Sequence, residues 1–413
     1  MSWEMVRLDD ICNAITCGVA KRPEYQEHGV PFLSSLNVKE NRFILKSYKY
    51  ISELDHEQLT KYNKPENGDI LYTRVGSFGE AAVIDLDFDF SIFVSLTLIK
   101  PNQKLVDSRF LMWHLNSPNV RNFATRNTSG IGVQNLNVGV VREFQIPLPP
   151  LPIQKRIAEI LDAADALRRK DQELLKKYDE LAQAIFIDMF GDPVKNEKGW
   201  EVKTIEQLVK NTRHSIKRGP FGGALKKEIF VNDGFLVYEQ FHALNNDFNF
   251  ERYYINQEKY NELIAFDVKP KDIIISCSGI YLGKLAIVPE GAKTGIINQA
   301  LLKLTLDENI YKNEFFVKIF TQDNFKETYF ASERGAAIPN FPPMSTFKEF
   351  KFICPPINIQ NEYLKIVHNL QQQIDIISLE HKTAHNLFQT LLQKAFKGEL
   401  SESGFSGFKN LQD

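Results

Sequence analysis

Two stretches 206 residues apart follow one plan: "FQIPLPPLPIQKRIAEIL" (144–161) and "FKFICPPINIQNEYLKIV" (350–367). Each passes from a β-like segment into a Pro-Pro pair, then a Gln, then a long helical pattern. No other feature constrains the fold as much, because a chain that holds one unit twice must bury two equivalent cores. Other landmarks recur in the same order. "WEMVRLDDI" begins at Trp3 and "WEVKTIEQL" at Trp200, and "GDILYTRVGSFGEAAVI" (68–84) is matched by "KDIIISCSGIYLGKLAIV" (271–288). Between landmarks the two copies differ widely, as a shared scaffold presenting two surfaces would.

Inside each copy the β-rich runs are short: "DILYTRV", "AAVIDL" and "VSLTLIK" in the first, "DIIIS", "LAIVP" and "ALLKLTL" in the second. Gly and Ser separate them, as loop signals do. Helical patterns follow in "SRFLMWHLNSPNVRNFAT" and "NEFFVKIFTQDNFKETYF". The expected module is α+β, with a curved, mostly antiparallel sheet.

The two long helical patterns differ in kind. Steps of 4 and 3 from Ile153 reach Ile157, Ile160, Ala164, Leu167, Asp171, Leu174, Tyr178, Leu181, Ile185 and Asp188, and nine of these eleven positions are apolar. The second pattern, from Ile359, places Gln373, Glu380, Leu387 and Lys394 on the same stripe, with eight of eleven apolar. A 3.5-residue period held this long is a coiled-coil seam. Its polar members either set the register or lie where the helices splay. Neither pattern contains an internal Pro, and "FGDP" (190–193) and "FKGEL" (396–400) supply stop signals. Proline ends a sheet ladder and disfavours helix in the residue before it, so "PLPPLP" closes the last strand and fixes the angle at which the helix leaves.

The expected fold class is therefore α+β: two repeated α/β modules separated by two long helices. The first helix joins module one to module two and the second starts from module two. Paired along their seams they must be antiparallel, in a pseudo-twofold, circular organisation. The expected boundaries are 1–150 for module one, 151–190 for its helix, 191–199 for a linker, 200–355 for module two, 356–398 for the second helix and 399–413 for a tail.

A net charge of −2 decides nothing about nucleic acid, since a local basic face can sit on a neutral chain. From Glu201 to Phe230, seven basic residues stand against three acidic ones. No segment has the form of a signal peptide or approaches the length of a membrane span, so a cytoplasmic protein without membrane contact is expected. The cysteines Cys12, Cys17, Cys277 and Cys354 make no CxxC pair, and no metal site is expected. A phosphate-binding GxxxxGK[ST] loop, HExxH and GxSxG are absent, and "NFPP" (340–343) has the wrong order for an adenine methyltransferase motif. No catalytic residue is assigned.

The order of module, "PLPPLPIQKRIAEILDAADAL", "FGDP", second module, "CPPINIQNEYLKIV" and "LLQKAFKGEL" resembles the specificity subunit of type I restriction-modification enzymes over nearly the whole chain. The loops "SGIGVQNLN" (129–137) and "ERGAAIPNF" (333–341) stand where that family carries a Gly–Asn segment. The resemblance implies two target recognition domains, each reading one half of a split target in double-stranded DNA. It implies helices that set the spacer and dock two modification subunits. Cofactors are then expected on partners alone: S-adenosylmethionine on the modification subunits, and ATP with Mg on restriction/translocase subunits. Such a chain is itself no enzyme. Two rivals are a coiled-coil adaptor without DNA contact and a self-contained methyltransferase or nuclease.

Base readout needs donors and acceptors on exposed loops. The candidates in module one are Lys21, Arg22, Arg74, Ser77, Arg126, Asn127, Thr128, Gln134 and Asn135. In module two they are Lys217, Arg218, Ser276, Ser278, Tyr281, Arg334 and Asn340. The alternative for any one of them is a solvated loop residue or a turn hydrogen bond. Apolar residues beyond the seam are partner-binding candidates: Leu161, Leu175, Phe186, Met189 and Phe190, then Leu364, Phe388, Leu392 and Phe396. Some of these are expected to pack on the modules and the rest to form an exposed patch.

Overall fold

The computed structural model describes residues 3–20, 23–76, 78–128, 134–221, 223–330 and 341–399, the side chain of Ile280 excepted. The chain forms two compact units, Met1–Leu174 with Ile377–Asp413, and Leu175–Ile376. The protein is α+β, with a sheet domain in each unit and two long helices that pack against each other.

The repeat seen in the sequence is a repeat of topology. In the first unit the strands Cys12–Cys17, Leu96–Pro101, Ile70–Thr73 and Ala81–Val83 lie side by side in that order, all antiparallel. In the second unit Ile216–Arg218, Leu301–Leu304, Ile273–Ser276 and Leu285–Ile287 repeat the order and the sense. A smaller sheet in each unit contains one parallel pair, Val30–Leu33 beside Ser91–Ile92 and Phe235–Tyr238 beside Gly295–Ile297.

The strand that precedes each Pro-Pro pair is Gln145–Pro147 or Lys351–Ile353, and each is paired antiparallel with the strand after the matching Trp, Met5–Arg7 or Val202–Thr204. The long helices then run over Leu151–Phe190 and Ile357–Lys397. The Gln of each motif fixes this start and is completely buried. Gln154 accepts from the backbone N–H of Asp107 at 2.8 Å and donates to the carbonyls of Leu105 and Pro149. Gln360 accepts from the N–H of Lys312 at 2.9 Å and donates to Ile310 and Pro355. A primary amide offers an acceptor and two N–H donors on one rigid group, which lets it tie a helix start to the turn before a neighbouring helix. Those neighbours are Ser108–Leu115 and Asn313–Phe320. Each long helix ends at a glycine with positive φ, Gly191 or Gly398, a left-handed backbone that a residue with a side chain adopts only under strain.

Each core contains the start of one long helix and the end of the other. In the first unit Ile157, Leu161 and Ala164 share a core with Phe388, Leu391 and Leu392, and the rings of Phe388 and Trp113 lie 5.4 Å apart. In the second unit Tyr363 meets Phe186 at 5.7 Å and Phe190 at 5.2 Å. The helices are thus antiparallel within each unit.

Burial shifts half of the expected seam by one residue. The buried and half-buried stripe of the first helix is Ile157, Leu161, Ala164, Arg168, Asp171, Leu175, Tyr178, Ala182, Ile185 and Met189. The second helix shows the same stripe 206 residues later, through Val367, Ile374, His381 and Phe388. Leu167, Leu174, Leu181, Asp188, Gln373, Glu380, Leu387 and Lys394, expected on the seam, are exposed. Aromatic packing sets the phase. The guanidinium of Arg168 lies 4.6 Å from the centroid of Phe388 and pairs with the buried Asp165, so a cation covers the apolar surface that a leucine was expected to cover. Asp165 also pairs with Arg169 at 2.6 Å, and Arg169 donates to the carbonyl of Glu40, which anchors the turn after the strand Val38–Lys39 to the helix.

None of the nine partner-binding candidates is exposed, so they do not form the expected surface patch. Leu161, Phe186, Phe190, Phe388 and Leu392 are core residues, and Leu175, Met189, Leu364 and Phe396 are half-buried. The exposed large apolar residues of the helices are instead Leu167, Leu174, Leu181 and Ile187, with Ile376, Leu379 and Leu387.

Candidate DNA interface

Each main sheet has one end at which several loops converge, and backbone hydrogen bonds tie them in the same pattern in both units. In the first unit, Gly18 N–H reaches the carbonyl of Leu96, Arg74 N–H that of Ser95, Leu136 N–H that of Arg74 and Phe93 N–H that of Leu33. In the second unit, Gly219 reaches Leu301, Cys277 reaches Ala300, Phe341 reaches Cys277 and Asn298 reaches Tyr238. All eight bonds are 2.8–3.1 Å long. The glycines are required by space. A Cβ on Gly18 would lie 2.2 Å from the carbonyl oxygen of Ile92, and one on Gly219 would lie 1.8 Å from that of Asn298.

Two of the expected readers are internal supports. Arg74 is buried, and its guanidinium donates to the carbonyls of Leu136 and Val94 and to the side-chain oxygen of Asn135. It binds the loop from below instead of offering its donors outward. Its mate in the repeat is Cys277, which is also buried. Ser276 is fully buried and accepts at 2.9 Å from Gln240, whose amide also donates to the carbonyl of Ser278. A donor aimed at a base edge must be free at the surface, so Arg74 and Ser276 are corrected to positioning roles.

Arg126, Asn127, Gln134 and Asn135 are exposed, and Thr128 is half-buried. Arg126 ends the helix Pro118–Arg126, and Gln134 accepts from the N–H of Gly76 at 3.2 Å, which brings the 134–136 segment beside the loop after Thr73. Lys217 and Arg218 lie on the strand Ile216–Arg218, with the ammonium of Lys217 4.7 Å from the ring centroid of Phe266 and the guanidinium of Arg218 5.3 Å from that of Phe221. Phe221 and Tyr281 are exposed, and Ser278 is half-buried in the same loop as Tyr281. Lys21, Arg22, Ser77, Arg334 and Asn340 lie outside the described residues.

Sequence reasoning missed the turn that follows the first strand of each smaller sheet. In the first unit it is Ser35–Asn37, and the backbone N–H of Ser35 donates to the side chain of Ser95 at 2.9 Å. In the second it is Gln240–Asn245, tied by Gln240 as described. Both begin with a reciprocal capping box, Ser34 with Asn37 and Glu239 with His242. A Ser-x-x-Asn spacing before Val38 was the available sequence signal for the first.

Among the described residues, the surface these loops form carries hydrogen-bond donors and acceptors and the exposed rings of Phe221 and Tyr281. Among the described residues no three His, Cys, Asp or Glu side chains are placed to hold a metal ion, and no helix is long and apolar enough to cross a membrane.

Comparison with known proteins agrees with this geometry. The family model described as "Type I restriction modification DNA specificity domain" matches residues 1–177 and 197–386, one match for each copy of the repeat. The chain is 22% identical over 213 residues to the putative type I restriction enzyme MjaX specificity subunit of Methanocaldococcus jannaschii, covering 50% of this chain and 49% of that protein. It thus spans about half the length of that relative. It is 25% identical over 358 residues to the MjaVIII specificity subunit of the same organism, covering 80% of this chain and 76% of that one. The crystal structure of the type I restriction-modification S subunit from M. genitalium has the same fold, with a TM-score of 0.55, 16% identity, and coverage of 96% of both chains. The chain belongs to the type I restriction-modification DNA specificity family, as a non-catalytic specificity subunit.

Proposed function

We propose that this subunit reads a bipartite target in double-stranded DNA, with residues 1–150 and 200–355 as the two target recognition domains. The observation that carries the reading is the pair of equivalent loop clusters, alike in backbone bonding and different in exposed side chains. Arg126, Asn127, Gln134 and Asn135 supply donors and acceptors in the first domain, and Lys217, Arg218, Ser278 and Tyr281 in the second, the types that match base edges and phosphates.

The two long helices set the unspecified spacer between half-sites and dock two modification subunits. The docking residues are the exposed apolar ones of the helices, Leu167, Leu174, Leu379 and Leu387 in the first unit and Leu181 and Ile376 in the second. Methyl transfer from S-adenosylmethionine belongs to those subunits, and ATP- and Mg-dependent translocation to restriction subunits.

The test is an exchange of residues 1–150 for the equivalent domain of a relative, followed by mapping of methylated adenines. One half of the target changes and the other stays. A change in both halves, or in neither, defeats the two-reader account.

A further inference from the structure

Leu36 is 77% exposed and Phe241 is 39% exposed. A single exposed apolar residue needs no explanation. These two are different, because they occupy the same place in the two units. Each is the second residue of the helical turn that begins with a capping box, Ser35–Asn37 or Gln240–Asn245. Each turn follows the strand that pairs in parallel with its neighbour, Val30–Leu33 or Phe235–Tyr238. Each is tied to the loop end of the main sheet, one through Ser35 to Ser95 and the other through Gln240 to Ser276 and Ser278.

The turn is also built rigidly in both, with different chemistry. The residue after Leu36 is Asn37, which is buried, accepts from the N–H of Ser34 at 2.9 Å and donates to the carbonyls of Ile44 and Ser47. The residue after Phe241 is His242, fully buried, whose Nδ1 accepts from the N–H of Glu239 at 2.9 Å while Nε2–H donates to the carbonyl of Phe250 at 2.9 Å. An amide and an imidazole do one job, an acceptor toward the cap and a donor toward the following loop. Phe241 is further braced by the ring of Phe250, with centroids 4.1 Å apart. Two divergent units thus each spend a buried polar side chain on holding an apolar residue outward, among the polar groups of the loop cluster.

We propose that Leu36 and Phe241 are base-contact residues, one for each half of the target, and that each packs against the 5-methyl group of a thymine in the major groove. The proposal rests on the DNA-reading function proposed above. The thymine methyl is the apolar feature that the major-groove edge presents, and apolar side chains read it. The polar residues beside each turn then fix which base pair it meets.

The experiment uses the full chain assembled with modification subunits, on duplexes carrying the target found by methylated-adenine mapping. Thymines in each half-site are replaced singly by uracil, which removes only the methyl group. Affinity is measured for wild type, Leu36→Ala and Phe241→Ala, with Asn37 and His242 left in place so that the capping boxes persist. One uracil in the first half weakens wild-type binding at least about fourfold, the loss expected when one methyl contact returns to water. The same uracil costs Leu36→Ala little more, and Leu36→Ala binds the second half normally. Phe241→Ala shows the mirror-image result. Variants that bind as wild type, or that respond to uracil as wild type does, overturn the proposal while leaving half-site reading intact. A wild-type complex with no preference for either half overturns the reading on which it rests. Circular dichroism of each variant separates a lost contact from a lost fold.

Discussion

His114 shows how one buried side chain makes stability depend on pH. It is buried beside Phe396, with ring centroids 4.7 Å apart. Burial holds its pKa down at about 4, against an ordinary 6.5, and the bond between Nε2 and the carbonyl of Gln145 only partly opposes this. The folded state therefore keeps the neutral ring, while the unfolded chain takes up a proton below pH 6.5. This contribution is complete above pH 6.5 and is lost as pH falls toward 4, by up to about 3 kcal/mol. Urea unfolding of wild type and His114→Asn across pH 4 to 7.5 checks it, and the variant loses this part of the slope. The two motif glutamines make a second prediction. Gln154→Ala leaves the buried carbonyl of Pro149, and the half-buried N–H of Asp107 and carbonyl of Leu105, short of a partner and lowers stability by about 3 kcal/mol, measured by the same unfolding. The Pro-Pro-x-x-x-Gln spacing was legible in the sequence, but the partners of the Gln lie 47 and 49 residues away along the chain and were not.

At the scale of elements, the long helices were legible in period and extent but not in phase. Each helix carries apolar residues on two adjacent stripes, and the sequence weighs Leu167, Leu174 and Leu181 above Arg168 and Ala182. Tertiary packing decides otherwise, because Phe388 packs against Trp113 on the inner side and Arg168 covers its ring. The β-rich runs were legible for a simpler reason, their apolar residues being bounded by Gly and Ser. The loop cluster was read less well. Arg74 and Ser276 have the chemistry of readers, and only their burial shows that they hold the loops. The outward leucines make a testable contrast. Leu167→Lys with Leu174→Lys changes stability by less than about 1 kcal/mol, since exposed sites tolerate charge. The same pair of changes abolishes co-purification with the modification subunits. Leu161→Lys places an ammonium in a core and prevents folding of the first unit, seen as loss of its cooperative transition.

For the whole molecule, the repeated 206-residue offset along both helices implies that they must be altered together. A matched insertion of one heptad in each lengthens the helices by about 10 Å, or about three base pairs. Methylation mapping of such a variant gives half-sites unchanged in sequence and separated by about three more base pairs. A folded variant with the original spacing removes the ruler role. Modification subunits docked as proposed add phosphate contacts of their own. Binding by the assembled complex then falls more steeply with salt than binding by this chain alone, in a titration at several salt concentrations.

The first unit is made from both ends of this sequence, Met1–Leu174 and Ile377–Asp413. On a ribosome that order has a cost in time. Trp113 emerges 275 residues ahead of Phe388, the ring it packs against, whereas every residue of the second unit is present once Ile376 has been made. The unit that holds Trp113 is completed after the other, and its core lacks Phe388 for the interval. A chain stopped after Ile376 holds a closed second unit and an open first one, a difference that limited proteolysis of the stalled product reads directly.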